Sequence, residues 1–505
     1  MITPTKIIKF ENLSLIRKEN LHKKIVLAHG TFDFFHYGHF LHLKKAKTFG
    51  DILVVSLTAD KFVDKGPGRP FYNQRIRSDY LASLKFVDYI VIANFKTGIE
   101  VINKLKPNIY AKGDEYKNFS KDYTKQIIKE VNVINKIGGS FKTTNEITFS
   151  ASNILNIFNE KFSPQANFFL NKFKKKDLFI DIFNKLKKLK DKKILLIGDA
   201  IIDEYIFTST MAKSPKEEII SVRELSRKKY LGGILATASQ ICDFPKKIDV
   251  LTILGNQKEE TSFIKKNLNN KIKIKNIVDH SRKTILKSRY LEINKKQKLF
   301  QNNKLDLNFI SQKTENKILN FLKKNKNKYD CVLVNDFGHG LLTSNIKNFL
   351  CRKIKNLCVN VQTNSANLGY NLITNYNRCK YFTIDEPEAR LATQQRFCDI
   401  KEIFLILKNK ISFEIGSITF GDQGSHIFSK GKITHVPALS RNVVDTLGAG
   451  DAYFAYSSIY SLVSKNELEI SFIGNLAGAI KIQHLGHEKF ISKDDFIKYL
   501  KSVLA

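Results

Sequence analysis

Two histidines, His36 and His39, stand where an apolar run ends and a helical pattern begins. The residues before them, 28–35, contain a glycine followed by Thr-Phe-Asp, which predicts a strand, a tight turn and a helix start in succession. Backbone N–H groups at a helix N-terminus attract phosphate oxygens. Two imidazoles there can donate hydrogen bonds to a phosphate as charge develops in a transition state, and Gly38 between them allows close approach of the backbone.

A second group suited to chemistry lies near the end of the chain, where Gly448, Ala449 and Gly450 directly precede Asp451. Glycines at a helix start leave backbone N–H groups free to form an anion hole. A carboxylate in the first turn of that helix can take the proton of a hydroxyl group that attacks a γ-phosphate. This segment therefore predicts phosphoryl transfer with Asp451 as the general base.

The segment 28–39 resembles the nucleotidyltransferase superfamily, which includes glycerol-phosphate and ethanolamine-phosphate cytidylyltransferases and the adenylyltransferase half of ADP-heptose synthase. The resemblance covers residues 24–156 and implies that His36 and His39 are catalytic. It implies nucleotide contacts from Gly30, Thr31, Phe32, Lys65, Arg75, Ser150 and Ser152. Lys112 and Asp114 match a substrate segment of the heptose branch, whereas we expect His42 to be an ordinary helix residue.

The segment 442–454 resembles the Asp-Thr-x-Gly-Ala-Gly-Asp signature of ribokinase-like sugar kinases of the PfkB family. The resemblance implies that Gly448, Ala449 and Gly450 form the anion hole and that ATP is the phosphate donor. Its other nucleotide-site matches are Thr419, Gly421, Gly424 and Asn475. Its substrate matches are Asp203, Gly232, Gly233 and Asp336, and its Mg²⁺-site matches are Asp385 and Glu388.

Three positions depart from the kinase pattern. Ala236 replaces a sugar-contacting asparagine, His339 replaces the lysine of an Asp-Tyr-x-Lys-Gly segment, and Asp385 replaces the asparagine of the metal motif. The first two leave the identity of the substrate open. Together the three leave open whether the kinase half is fully active.

The elements that must position these residues follow an alternating pattern. Apolar runs at 24–29, 51–58 and 88–93 predict strands, and helical patterns at 38–49 and 72–85 lie between them. Alternation of strands and helices predicts a parallel sheet with helices on both faces. We therefore expect an α/β protein with a Rossmann-like nucleotidyltransferase domain and a ribokinase-like domain, and alternating segments at 216–231 and 283–300 predict an antiparallel β lid.

The composition changes between the two halves. Residues 157–193 are rich in lysine and phenylalanine, with apolar positions at helical spacing, which predicts an amphipathic connecting helix with a solvated basic face. We therefore expect a nucleotidyltransferase domain at 1–156, a helical linker at 157–193 and a kinase domain at 194–505. A polybasic membrane-binding patch is the alternative for the linker.

The composition, the spacing of the cysteines and the net charge favour a cytoplasmic enzyme. With 43% hydrophobic and 11% aromatic residues, the chain of 505 residues is able to form real cores, and it contains no apolar run long enough for a membrane span. The six cysteines have no metal-site spacing and are expected to be reduced thiols. Lysines are spread along the whole chain, so the net charge of +36 indicates codon bias and an attraction for phosphorylated substrates more than nucleic-acid binding.

Both halves together resemble the bifunctional ADP-heptose synthases, with the order of the halves reversed. The resemblance implies a kinase that phosphorylates a sugar phosphate and a transferase that activates the product for surface-glycan synthesis, with Mg²⁺ and with ATP or CTP at the transferase site. In the transferase reaction a sugar-1-phosphate oxygen attacks the α-phosphorus of a nucleoside triphosphate and pyrophosphate leaves. One alternative is an alcohol-phosphate cytidylyltransferase with a non-catalytic kinase-like module, and another is a basic nucleic-acid-binding protein. The sugar, the base and a homodimeric state are left open.

Overall fold

The chain forms two compact units in a computed structural model that describes residues 6–63, 69–114, 126–144, 162–211, 221–293, 297–440 and 443–504. The first unit comprises Met1–Lys161 together with Ile497–Ala505, and the second comprises Phe162–Phe496. The expected α/β class is confirmed in both units.

Within the described part of the first unit, six strands form one parallel sheet in the order β1-β4-β3-β2-β5-β6. These strands are β1 (Ile7–Ile8), β2 (Ile25–Gly30), β3 (Ile52–Thr58), β4 (Tyr89–Ala93), β5 (Ile109–Lys112) and β6 (Ser140–Thr143). Because neighbouring strands run parallel, the carboxyl ends of β2 and β5 lie at the same edge of the sheet.

Helices cover both faces of this sheet, since alternate side chains of β2 enter different cores. Ile25 and Leu27 pack in one core and Val26 and Ala28 in the other. The first core receives apolar residues of α1 (Leu13–Glu19), α4 (Ile99–Leu105) and α5 (Gln126–Lys136). The second receives apolar residues of α2 (Tyr37–Lys47) and α3 (Gln74–Ala82).

The main sheet of the second unit has nine strands within the described ranges, in the order β11-β10-β7-β14-β15-β16-β17-β18-β19. They are β7 (Lys193–Gly198), β10 (Lys247–Leu254), β11 (Ile272–Val278), β14 (Cys331–Asp336), β15 (Leu357–Val361), β16 (Tyr381–Asp385), β17 (Ile415–Thr419), β18 (Ser425–Ser429) and β19 (Lys432–Val436). Neighbours pair in parallel except at β17–β18 and β18–β19.

A second, four-stranded sheet of the described residues has the order β13-β12-β8-β9. Its strands are β8 (Ala200–Thr210), β9 (Val222–Gly232), β12 (Ile285–Glu292) and β13 (Gln297–Lys304). The expected small lid is present, but its strands are not all antiparallel, because β8 and β12 pair in parallel. The strand β8, which carries Asp203, was not predicted as a lid strand from the sequence.

The helices of the second unit include two that were expected as a single linker. They are α6 (Pro164–Phe173) and α7 (Leu178–Lys187), followed by α8 (Gly233–Ile241), α9 (Lys258–Asn267), α10 (Gln312–Asn325), α11 (Ser344–Lys353), α12 (Glu386–Thr393), α13 (Ile400–Lys410), α14 (Ala449–Tyr460) and α15 (Glu467–Lys481). A final helix, α16 (Lys493–Leu504), includes the division between the units.

Helices α6 and α7 pack against the rest of the second unit and do not form one solvated connecting helix. The ring of Phe173 contacts that of Phe472 on α15 at a centroid distance of 4.7 Å. Lys185 pairs with Glu469, also on α15, at 2.9 Å. The apolar stripe that suggested a linker is therefore the buried face of two docked helices. None of the helices in the described ranges combines the length and apolarity that a membrane crossing requires.

Candidate functional sites

The two histidines of the first unit lie against each other at the start of α2. His36 is the N-cap residue, and its Nδ1 accepts a hydrogen bond from the backbone N–H of His39 at 3.4 Å. The two imidazole rings stack with centroids 3.9 Å apart. The turn before them bends through Phe32 and Phe34, which have φ values of 47° and 50°. The predicted pair therefore stands at a helix N-terminus directly after β2.

Buried ionic contacts hold this turn in place. Asp33 accepts hydrogen bonds from the backbone N–H of Phe71 at 2.9 Å and pairs with Arg69 at 2.7 Å. Arg77, which is fully buried, donates to the backbone carbonyls of Thr31 and Thr58. Arg77 was not singled out from the sequence, because a positioning role depends on which backbone oxygens lie nearby.

Lys112 lies at the carboxyl end of β5, beside the end of β2. Its ammonium donates to the His29 carbonyl at 3.1 Å and lies 3.5 Å from the carboxylate of Glu130. Burial raises the pKa of Glu130, but Lys112, His29 and the Gly98 N–H outweigh it and hold that pKa below its usual value. Lys112 thus belongs to a charge-compensated cluster at the edge where the histidines stand.

The other predicted residues of this unit fall at varied places. Gly30 ends β2, Thr31 and Phe32 are buried in the following turn, and Arg75 is exposed in the first turn of α3. Asp114 is half-buried shortly after β5. Lys65, Ser150 and Ser152 lie outside the described residues.

His42 connects α2 to the end of β6, a role for which the sequence offered no signal. Its Nδ1 lies 2.9 Å from the Thr144 hydroxyl. Burial and the charge of Lys112 lower the pKa of His42 to about 4. His29 is also held neutral, since burial and Lys112 lower its pKa to about 4, and its Nδ1 lies 3.0 Å from the Ser56 hydroxyl.

In the second unit, Asp451 lies in the first turn of α14 and is 7% exposed. Its Oδ1 accepts hydrogen bonds from Asn335 at 3.0 Å and from Gln362 at 2.8 Å. No hydrogen bond from another described residue engages Oδ2. Burial raises the pKa of Asp451 above its usual value, which favours proton uptake. Hydrogen bonds from the described residues therefore hold this carboxylate through Oδ1 alone.

The glycines before Asp451 have different environments. Gly448 caps α14 with φ of 80°, and a Cβ there would lie 2.8 Å from Cε1 of His487. A Cβ on Gly450 would have no heavy atom within 4 Å. Gly448 is therefore required by the backbone and its packing, whereas Gly450 borders open space that a phosphate can occupy.

The predicted substrate residues Asp203, Gly232 and Gly233 are brought together between the lid and α8. Asp203 pairs with Arg289 on β12, and its Oδ2 lies 3.4 Å from Nε2 of His487. A Cβ on Gly232 would lie 2.1 Å from Oδ2 of Asp203. Only glycine therefore fits at position 232 beside this carboxylate.

Asp336 has a different setting from the other predicted substrate residues. Its Oδ1 accepts from the Gly338 N–H at 3.0 Å, and its Oδ2 accepts from the Tyr376 hydroxyl at 2.8 Å and contacts Lys347 at 2.9 Å. These bonds fix the loop that follows β14, and a contact between Asp336 and a substrate stays a prediction.

Asp385 and Glu388 form a capping box at the start of α12. The Glu388 N–H donates to Oδ1 of Asp385, and the Asp385 N–H donates to Oε2 of Glu388, both at 2.8 Å. Oε1 of Glu388 accepts from the Thr363 N–H at 2.7 Å. Burial and the neighbouring Asp385 raise the pKa of Glu388 to about 8.

This carboxylate pair fits a hydrated cation. Asp385 and Asp451 both repel charge on Glu388, so a divalent cation nearby would relieve the repulsion. Across the residues that the structure describes, no group of three or more His, Cys, Asp or Glu side chains has metal-binding geometry. Mg²⁺ commonly keeps several waters and binds substrate phosphates through few protein carboxylates. Asp385 and Glu388 would therefore hold it through water.

The predicted nucleotide turn follows β17. Thr419 ends that strand, and Gly421 and Gly424 have φ of 55° and 95°. Asn475 on α15 donates to the Ser425 hydroxyl at 2.7 Å and to the Val436 carbonyl at 3.3 Å. The Asn475 amide thus joins α15 to β18 and to the end of β19 beside the turn.

Ala236 and His339, the two residues that depart from the family pattern at substrate-contacting positions, are both buried. Ala236 is fully buried on α8. His339 is 1% exposed, and neither ring nitrogen has a hydrogen-bond partner among the described residues. Burial, Lys287 and Arg282 lower its pKa to about 3, so it is a neutral imidazole. The His339 N–H donates to Asp199 at 3.4 Å, and burial and Asp336 raise the pKa of Asp199 to about 7.

Two family models match the chain. Residues 191–493 match the model of the pfkB family of carbohydrate kinases. Residues 27–157 match the cytidylyltransferase-like model. The expected pairing of a carbohydrate kinase with a nucleotidyltransferase is thereby confirmed.

Curated relatives carry the name Bifunctional protein HldE. The protein from Aliarcobacter butzleri is 28% identical over 299 residues, which cover 58% of this chain and 61% of that protein. The protein from Helicobacter hepaticus is 26% identical over 306 residues, covering 59% and 61%. The protein from Campylobacter curvus is 39% identical over 144 residues, covering 28% and 30%. The chain thus spans less than two thirds of each relative's length, and a reversed order of the halves stays a prediction.

Among solved structures, phosphofructokinase-2 from Escherichia coli in complex with potassium is similar with a TM-score of 0.50 and 12% identity. The similarity covers 62% of this chain and 99% of that one. At this identity it supports the ribokinase-like fold of the second unit alone.

The neutral state of His29 predicts a pH-dependent stability of the first unit. Its native pKa is about 4, whereas an unfolded histidine titrates near 6.5. The unfolded state therefore binds more protons below pH 6.5, and stability falls as pH falls toward 4. Between pH 7 and pH 5, the protonation of His29 in the unfolded state lowers the free energy of unfolding by about 2 kcal/mol. We expect His29→Gln to remove this part of the pH dependence. Native-state hydrogen exchange of the β2 and β3 amides measures it. The exposed His22→Gln is the matched control, and equal pH dependence in wild type and His29→Gln would contradict the assignment.

The two glycines before Asp451 predict opposite effects of an added methyl group. Gly448→Ala forces a left-handed alanine against His487 and should cost about 1–3 kcal/mol of stability. Gly450→Ala meets open space and gains helix propensity, so its melting temperature should be unchanged or higher. Its methyl group should nevertheless obstruct the anion hole and lower the rate of phosphoryl transfer. Thermal unfolding and a kinase assay on both variants test this, and equal destabilisation would show that the packing argument is wrong.

Proposed function

The chain belongs to the pfkB family of carbohydrate kinases, and on that premise we propose that it is a bifunctional enzyme that makes a nucleotide-activated sugar. The second unit transfers the γ-phosphoryl group of ATP to the anomeric hydroxyl of a sugar phosphate. The first unit then joins the resulting sugar-1-phosphate to a nucleotide. The environment of Asp451 is the observation that best supports the proposal.

In the kinase step, Asp451 takes the proton of the attacking hydroxyl through Oδ2 while Asn335 and Gln362 hold Oδ1. The raised pKa of Asp451 suits a group that must accept a proton. Backbone N–H groups after Gly448 receive the charge that develops on the transferred phosphoryl group, and ADP leaves. Mg²⁺ held through Asp385 and Glu388 would neutralise triphosphate charge.

The sugar lies against Asp203 in this proposal. Asp203 is fixed by Arg289 and approached by His487, so it can accept hydrogen bonds from sugar hydroxyls without an uncompensated buried charge. Lys287 and Arg289 on β12 add positive charge on the lid side. A substrate that carries a phosphate of its own fits this basic lid.

In the transferase step, the sugar-1-phosphate oxygen attacks the α-phosphorus of a nucleoside triphosphate in line with the departing pyrophosphate. His36 and His39 donate hydrogen bonds to phosphate oxygens as charge develops. Lys112 supplies fixed positive charge at the same sheet edge. ATP or CTP donates the nucleotidyl group. The product resembles ADP-heptose, and this cytoplasmic enzyme would supply it for surface-glycan assembly.

A second candidate is an alcohol-phosphate cytidylyltransferase with a non-catalytic kinase-like module. The buried Ala236 and the neutral His339 favour it, since each replaces a polar or charged residue of the family pattern. Incubation of the protein with ATP or CTP and a panel of sugar and alcohol phosphates, read by mass spectrometry, separates the two. A phosphorylated sugar supports the bifunctional enzyme, whereas a CDP-alcohol without any kinase product supports the alternative.

We predict that His36→Ala or His39→Ala lowers nucleotidyl transfer by about 10²–10³-fold, because each removes a hydrogen-bond donor to the developing charge. Phosphorylation of the sugar phosphate should continue at the wild-type rate in both variants. Rates of both reactions measured on the same preparation test this. Near-normal nucleotidyl transfer in both variants would refute the assignment.

We predict that Asp451→Asn lowers kcat of the kinase by about 10²–10⁴-fold, because the amide does not accept the proton. Its oxygen can still accept from Asn335 and Gln362, so KM for sugar and ATP should change little. Nucleotide-sugar formation from a supplied sugar-1-phosphate should persist. Wild-type kinase rates in the variant would show that Asp451 is not the base.

A further inference from the structure

Lys481, the last residue of α15, carries an ammonium group in the interior of the second unit. The residue is fully buried, and its Nζ donates hydrogen bonds to the backbone carbonyls of Gly486 and Lys489. No hydrogen bond described above for the kinase or transferase step involves it. A lysine is almost never fully buried without compensation, so this placement requires an explanation.

The Gly486 peptide links Lys481 to the anion-hole turn. Its carbonyl accepts from Lys481, and its N–H donates to Oδ2 of Asp445 at 3.0 Å. Oδ1 of Asp445 accepts from the Leu447 N–H at 3.2 Å, directly before Gly448. Gly486 has φ of 42°, and a Cβ there would lie 2.1 Å from the Tyr205 hydroxyl. A continuous chain of bonds thus runs from the ammonium to the start of α14.

The ammonium also lies close to the charged groups of the site. Its Cε is 3.1 Å from where a Cβ on Gly448 would stand. Burial lowers the pKa of Lys481, and Asp451, Asp445 and Asp203 act against it, leaving the pKa at about 8. Lys481 is therefore mostly charged at neutral pH, directly behind the turn that faces the phosphate.

We propose that Lys481 is a positioning residue whose ammonium serves as an internal cation of the kinase site. It holds the turn 445–448 in the geometry of the anion hole and adds fixed positive charge behind the transferred phosphoryl group. Backbone carbonyl oxygens are also ligands that bind monovalent cations such as potassium. The ammonium therefore takes a place that a free cation could fill, and the kinase needs none from solution. This inference rests on the proposed kinase function.

The test uses two substitutions in the full chain. Lys481→Ala leaves a cavity between the carbonyls, and Lys481→Met fills the space with a neutral side chain of similar length. We expect kcat for sugar phosphorylation to fall by about 10²-fold in both, since small displacements of a catalytic turn have effects of this size. Ammonium or potassium chloride should restore at least part of the Lys481→Ala rate. Choline chloride at the same ionic strength should not, and Lys481→Met should not respond to any of the three.

Lys185→Met is the matched control for a purely structural effect. Lys185 also compensates a buried acid of α15, Glu469, but at the opposite end of that helix. This variant should melt at a lower temperature yet keep its kcat. Loss of kcat in Lys185→Met equal to that in Lys481→Met, or a folded Lys481→Ala with unchanged kcat or no cation response, would overturn the proposal.

A second readout separates this inference from the proposed function. If the wild type phosphorylates no sugar, the proposed kinase function fails, but ADP binding still reports on the turn. The ADP dissociation constant, measured by calorimetry, should rise in Lys481→Ala and recover with ammonium chloride. An unchanged constant in that variant would overturn the role of Lys481 independently of catalysis.

Discussion

Backbone N–H groups at a helix start are the feature on which both sites depend. A helix cannot satisfy its first N–H groups internally, and their partial positive charge attracts phosphate oxygens. In the first unit β2 leads through a short turn to α2, so His36 caps a helix at the carboxyl edge of a parallel sheet. In the second unit Gly448 opens α14 in the same way. The sheets determine where these helix starts lie. The side chains beside each start, the two histidines in the first unit and Asp451 in the second, differ in the chemistry that they can perform.

Buried charges around these helix starts are compensated in pairs and clusters. Asp33 with Arg69, Lys112 with Glu130 and Asp203 with Arg289 are examples. A charge without such a partner would be costly in the interior. Burial together with nearby charged side chains therefore sets the protonation states at the two sites.

The sequence was sufficient for the parts of the fold and sites that local pattern determines. Apolar runs located β2, β3 and β4 to within about two residues, and glycine-rich turns located both helix starts. Arg77, Arg289 and Lys481 could not be identified in this way, because their roles depend on backbone oxygens or carboxylates distant along the chain. The lid illustrates the same limit, since the pairing of β8 with β12 leaves no periodic signal in either segment.

That parallel pairing has a consequence for how the second unit is assembled. Ile201 lies opposite Ile285, so the two strands meet only after the intervening chain has been placed. Contacts between such distant segments form late in folding, because the loop between them must close first. During synthesis, Asp203 emerges well before Arg289. The ion pair of Asp203 with Arg289 therefore forms only when β8 and β12 have paired.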